Sequence, residues 1–126
     1  MTDTPTGELT LRTLAMPRDV NTNGDIFGGW VLSQMDMAAG IVSAARAQGR
    51  VATVAIDAMQ FIRPVKVGDV LCIYVQIVRT GRTSMGLQIE AWVLRNRQND
   101  REKVTEGLFT FVAIDEAGKP RALPAV

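Results

Sequence analysis

Two periods of hydrophobic and polar positions alternate along this chain, and the points where one gives way to the other mark out its elements. Glu8 to Met16 is rich in Leu and Thr, the make-up of a strand, and Pro17 stops it before the polar loop RDVNTNGD. From about Phe27 to Gly29 onward the pattern changes. Trp30, Val31, Leu32, Met35, Met37, Ala38, Ala39, Ile41, Val42 and Ala45 follow with so few polar interruptions that the segment reads as a buried helix of roughly twenty residues. Gly49 follows the polar turn of Arg46 and Gln48 and is expected to take the left-handed position beyond the helix end. After it the chain reads as strand and turn. Val51 to Arg63 is β-branched and ends at Pro64, VKVGD turns the chain, and Val70 to Val78 is the next strand. TGRT then reverses the direction. Met85, Leu87, Ile89, Ala91 and Val93 alternate with Ser84, Gly86, Gln88, Glu90 and Trp92, so Ser84 to Leu94 has one core face. RNRQNDRE reads as a solvated loop, Val104 to Ile114 closes the sheet, and EAGKPRALPAV is a turn-rich tail.

One strand, one long helix and four further strands joined by short turns predict an α+β domain in which a five-stranded antiparallel sheet wraps a central helix. A twenty-residue helix is about 30 Å long, and a curved sheet of five strands covers only part of its circumference. The uncovered apolar surface calls for a second chain.

At 126 residues the chain is long enough for one domain spanning 1–126, and 47% hydrophobic residues fill its core without staples. A net charge of +1 offers no field for nucleic acid or an anionic membrane. The polar, acidic N-terminal MTDTPTGE is unlike a secretory leader and no apolar run reaches membrane-spanning length, which makes a cytoplasmic protein the expectation. The single cysteine, Cys72, lies in the apolar run VLCIYVQIV and reads as a small core residue. There is no histidine. Ser/His/Asp and Cys/His nucleophilic systems and histidine-ligated metals are therefore excluded, and any hydrolytic chemistry rests on a carboxylate.

Asp36 is that carboxylate. It is the only ionisable group in the long apolar stretch, where an ionised side chain is costly unless hydrogen-bonded, paired or shifted in pKa. The structural alternative places it on a narrow polar stripe with Ser33 and Gln34. Asp25 is a rival base, more naturally a capping or loop-bonding residue. Gly28 and Gly29 fall where a helix presents unpaired N–H groups, suited either to polarising a carbonyl or to close packing against a sheet.

Three segments resemble the hot-dog-fold acyl-CoA thioesterases of the small bacterial YciA-like group: Arg12 to Gly40 (RTLAMPRDVNTNGDIFGGWVLSQMDMAAG), Met59 to Asp69 (MQFIRPVKVGD), and the closing TEGLFTFVAID with GKPRALP. The resemblance implies a hot-dog fold, hydrolysis of fatty acyl-CoA with no cofactor or metal, and assembly as a trimer of dimers. It assigns the catalytic carboxylate to Asp36, as the residues themselves do. It also brings Asn21 into the site from the facing protomer, although on residue type alone Asn21 reads as an Asx turn.

Asp36 stands eight residues past Gly28, about 12 Å along a helix, too far for both to act on one carbonyl within a chain. Two antiparallel helices would bring Asp36 of one protomer to Gly28 and Asn21 of the other. The phosphates of CoA need cations, and Arg63, Lys66 and Arg82, with Arg79, Lys119 and Arg121, are the candidates, each of them equally a solvated surface residue. Asp36 acts either as general base or as nucleophile. A non-catalytic acyl-CoA binding module is the alternative function, and a dehydratase is disfavoured by the missing histidine.

Overall fold

The computed structural model describes residues 4–95, 97 and 99–126. Among them, β1 (Glu8–Leu14) leads through a 3-10 turn at Pro17–Asp19 to helix α1 (Gly28–Ala47), followed by β2 (Val51–Phe61), β3 (Val70–Thr80), β4 (Ser84–Arg95) and β5 (Asp100–Ala113). Met1, Thr2 and Asp3 of the N-terminal segment, and Asn96 and Gln98 of the expected loop, lie outside the described residues.

The alternating segment becomes the central strand. Met85, Leu87, Ile89, Ala91 and Val93 of β4 are completely buried beneath Val31, Met35, Ala38 and Ala39 of α1. The opposite face of β4 is polar yet also covered. Trp92 Nε1 donates to Glu90 Oε1 at 2.9 Å, and the Arg101 guanidinium lies 5.7 Å from the centre of the Trp92 ring.

The sheet is antiparallel throughout, in the order β1-β3-β4-β5-β2. This corrects the simple succession of turns expected after the helix, because β2 pairs with β5 and not with β3. Residues 62–69 do not form a hairpin turn but pack along the end of the sheet. Val65 and Asp69 are buried there, Ile62 N donates to Val104 O at 2.7 Å, and Ala15 N donates to Asp69 O at 2.9 Å. The α1 crossing thus leaves β1 and β2 as opposite edges, and among the described residues the outer edge of β2 is unpaired.

Of the expected loop RNRQNDRE, four of the six described residues are strand. Arg95 ends β4, and Asp100, Arg101 and Glu102 begin β5. The charges do more than solvate: Arg95 bridges Glu102 across the strands at 2.7 Å and meets the buried Asp69 at 3.0 Å. A buried carboxylate demands such a partner, and a sequence pattern does not reveal which of several arginines supplies it.

The helix end also differs. Gln48, not Gly49, is left-handed, with φ 53°. Gly49 has a right-handed or extended backbone, and a Cβ there would stand 2.7 Å from Arg121 Nη2, so the Arg121 side chain would have to shift. The helix is buried on one side only. Met37 and Ile41 are half exposed on the other, and Val54 and Ile56 of β2 add further bare apolar surface beside the free edge. No described helix is long and apolar enough to cross a membrane.

A left-handed non-glycine residue costs about 1–2 kcal/mol, part of which glycine returns through its greater unfolded-state freedom. Gln48→Gly is therefore expected to raise Tm by about 2 °C in a thermal melt. A lower Tm would mean that the Gln48 side chain holds the helix end by a contact of its own.

Candidate functional site

The first locus is a cleft of about 290 Å³ at the N-terminal end of α1, lined by Asn21, Asp25, Ile26, Gly28, Val31, Phe61 to Val65 and Val104. Asn21 builds its loop: Oδ1 accepts from Asn23 N at 2.8 Å and from Asp25 N at 3.1 Å, an Asx turn that leaves the side-chain amide to donate elsewhere. Asp25 does not cap the helix. Its carboxylate forms an ion pair with Lys66, and the N-cap position is Phe27, which provides no side-chain acceptor. The first-turn N–H groups at Gly28 and Gly29 consequently have no acceptor within the helix. A Cβ on Gly28 would press the Phe61 ring at 3.3 Å, so packing explains that glycine. At Gly29 a Cβ would meet nothing within 4 Å, so packing inside the protomer does not explain it, and the residue is exposed.

The second locus is Asp36. It sits on the flank of α1 that faces β2, where Thr53 Oγ1 donates to Asp36 Oδ1 at 2.7 Å. Gln34 occupies the opposite flank and accepts from Thr13 of β1 at 3.1 Å. Ser33 is exposed and bonds back to Trp30 O at 2.7 Å, so the three polar residues do not share one stripe. Asp36 is also less enclosed than the apolar stretch suggests. It is partly buried, beside the bare Met37 and Ile41, because one protomer covers only one side of the helix.

The cations divide between the two ends of the sheet. Arg63 lines the cleft, with Nη1 donating to Lys103 O at 3.1 Å, and Lys66 is at its rim with Asp25. Arg82 is in the β3–β4 hairpin at the opposite end, where its carbonyl accepts from Leu123 N at 2.8 Å. Within one protomer it does not join the other two candidates. Arg79 and Arg121 are at that far end as well; Arg79 Nη2 donates to Thr110 Oγ1 at 3.5 Å and Arg121 Nε to Ile114 O at 2.9 Å, and Lys119 lies in the tail turn before Arg121, where its N–H donates to Asp115 Oδ1 at 2.9 Å. A strand end is easily read from sequence, but which end it joins depends on the strand order.

Thr53 and Phe61 were not singled out by the sequence, where they are ordinary members of a β-branched segment. Only the pairing of β2 with α1 shows their use.

Residues 23–98 match the family described as the thioesterase superfamily. The chain is 54% identical over 127 residues to the acyl-CoA thioester hydrolase YciA of Salmonella typhimurium, a match covering 98% of this chain and 96% of that one. It resembles the crystal structure of a hexameric thioesterase from Yersinia pestis at 54% identity and TM-score 0.93, over 98% and 100% of the two chains. Two solved variants of an acyl-CoA hydrolase from Staphylococcus aureus, at 27% identity and TM-score 0.82 over 90% of this chain and 70% of theirs, replace an aspartate and a threonine by alanine. Those two positions are 17 residues apart, the separation of Asp36 and Thr53. The sheet with its single long helix is the hot-dog arrangement that the sequence led us to expect.

Cys72 belongs to neither locus. It is buried within β3, and burial pushes its thiol pKa up against the opposing pull of the Arg12 guanidinium. A thiolate is the reacting form, so raising the pKa and closing access both slow attack. At pH 8 a disulfide reagent is expected to label Cys72 at least about a hundredfold more slowly in the folded protein than in urea. Comparable rates in the two conditions would show an exposed, reactive thiol.

Proposed function

The chain belongs to the thioesterase superfamily, and on that premise we propose that it hydrolyses fatty acyl-CoA, over a broad range of chain lengths, to free carboxylic acid and CoA. The observation that carries this reading is Asp36, held by Thr53 at the boundary between the covered and bare sides of a helix whose N-terminus has no side-chain cap. Two such helices laid antiparallel across a two-fold axis bring each carboxylate to the other protomer's helix N-terminus. The bare Met37, Ile41, Val54 and Ile56 supply the apolar contact, and the free β2 edge supplies unpaired backbone groups. The assembly extends to three such dimers, in line with the hexameric Yersinia pestis thioesterase. We place its action in the cytoplasm.

The thioester carbonyl sits against the N–H groups of Gly28 and Gly29, which stabilise the oxyanion as it forms. Thr53 occupies Oδ1 of Asp36 and leaves Oδ2 to work. As general base, Oδ2 takes a proton from water while the water oxygen attacks the carbonyl carbon; the C–S bond then breaks, and CoA leaves as a thiolate that needs no acid to assist it. As nucleophile, the same oxygen attacks directly, and water later cleaves the mixed anhydride. Asn21 orients water or substrate through its side-chain amide. Arg63 and Lys66, with Asp25 holding Lys66, meet the phosphates of CoA at the cleft mouth.

Asp36→Asn preserves shape and the capacity to accept a hydrogen bond from Thr53. It is expected to fold and bind CoA while kcat falls at least about a hundredfold, about 2.7 kcal/mol of transition-state stabilisation. Thr53→Val, which removes only the orienting bond, is expected to lower kcat about tenfold. Near-normal turnover in Asp36→Asn would move the base to Asp25.

Mixing two inactive proteins tests the shared site. Once Asn21→Ala and Asp36→Asn protomers exchange, each mixed dimer holds one doubly damaged site and one intact site. Activity should recover to about half the wild-type rate per mixed dimer. No recovery despite demonstrated exchange would place Asn21 and Asp36 in the same protomer's site.

A further inference from the structure

Arg95 holds together a cluster of charges at the back of the cleft. Its Nε donates to both oxygens of Asp69 at 3.0 Å, Nη1 to Glu102 Oε2 at 2.7 Å and Nη2 to Pro64 O at 2.9 Å. Asp69 is 5% exposed at its side chain, and its Oδ2 also accepts from Lys66 N at 2.8 Å. Pro64 and Lys66 belong to the segment that supplies Ile62, Arg63 and Val65 to the cleft, and Val65 O accepts from Ile26 N at 2.9 Å, which ties that segment to the loop before the helix. One guanidinium thus braces the segment of the cleft wall that carries Arg63.

The same Glu102 oxygen faces a second cation. Arg63 Nε is 3.9 Å from Glu102 Oε2, against 2.7 Å for Arg95, and Arg63 keeps about half of its side chain exposed. Arg95 has the short, charge-assisted contact and Arg63 the long one. Without Arg95, Glu102 would draw Arg63 inward and Asp69 would stand as an unpaired buried carboxylate, so the cleft would lose a cation and gain negative charge.

We propose that Arg95 is a positioning residue for the anionic end of the substrate: by saturating Asp69 and Glu102 it keeps Arg63 available for a phosphate at the cleft mouth. This rests on the acyl-CoA reading above. It concerns recognition of the phosphorylated part of the substrate and not the chemical step, and that separates it from a general contribution to stability.

The test compares an acyl-CoA with the same acyl group on N-acetylcysteamine, a thioester without phosphates, and follows CoA binding by calorimetry. Arg95→Met is expected to raise KM for acyl-CoA and Kd for CoA about tenfold, with kcat/KM for the truncated thioester within about twofold of wild type. Adding Glu102→Gln to that variant should recover most of the loss. Glu102→Gln alone, a mild change that keeps the protein folded even if Arg95→Met does not, should lower KM for acyl-CoA about twofold by releasing Arg63. Equal losses on both substrates in Arg95→Met, or an unchanged or raised KM in Glu102→Gln, overturns the proposal. CoA binding by the wild type without hydrolysis would sink the catalytic reading and leave this one standing; hydrolysis with wild-type CoA affinity in Arg95→Met would do the reverse.

Discussion

A twenty-residue apolar helix set against one five-stranded sheet has more hydrophobic surface than that sheet can cover, and the proposed site depends on the shortfall. On the covered side, Met35, Ala38 and Ala39 lie against fully buried residues of the central strand. On the other side, Met37 and Ile41 remain half exposed, and Asp36 lies at the boundary between the two. That boundary is where a carboxylate can be held by a neighbour, here Thr53, and still face a second molecule. Exposed apolar surface of this kind is destabilising in isolation and drives association. In the proposed dimer, assembly and catalysis draw on the same surface.

The elements that could be read from the sequence were those with a strong period. The alternation of Met85, Leu87, Ile89, Ala91 and Val93 marked a strand with one core face, and the apolar run from Trp30 marked the helix. Strand order was not legible, because β2 and β3 follow one another in sequence and nothing local distinguishes a hairpin turn from a segment packed along the sheet end. Val65 and Asp69 are buried there, and the buried Asp69 is paired with Arg95, 26 residues further on. The left-handed residue at the helix end was misplaced by one position. Gln48 itself takes the left-handed dihedral at the C-cap, and Gly49 lies beside the Arg121 guanidinium from the far end of the chain.

Site residues divide the same way. Asp36 was legible as the one charge in an apolar stretch, although that argument overstated its enclosure within a single protomer. Gly28 and Gly29 were legible by position, and the structure separates them: Phe61 accounts for the first, while the second has open space where a side chain would be. Thr53 was not legible, since its role exists only when β2 lies beside α1. Arginines could be counted but not assigned. Arg63 reaches the cleft, Arg82 belongs to the opposite end of the sheet, and Arg95, read as part of a solvated loop, organises the wall behind Arg63.

The central claim is that one protomer holds only half of each reacting site. Specific activity measured over a dilution series, with the proportion of monomer followed by sedimentation at the same concentrations, tests it directly. Activity per chain should fall in step with loss of the dimer and vanish in the monomer. A monomer that hydrolyses acyl-CoA at the full rate would contradict the account.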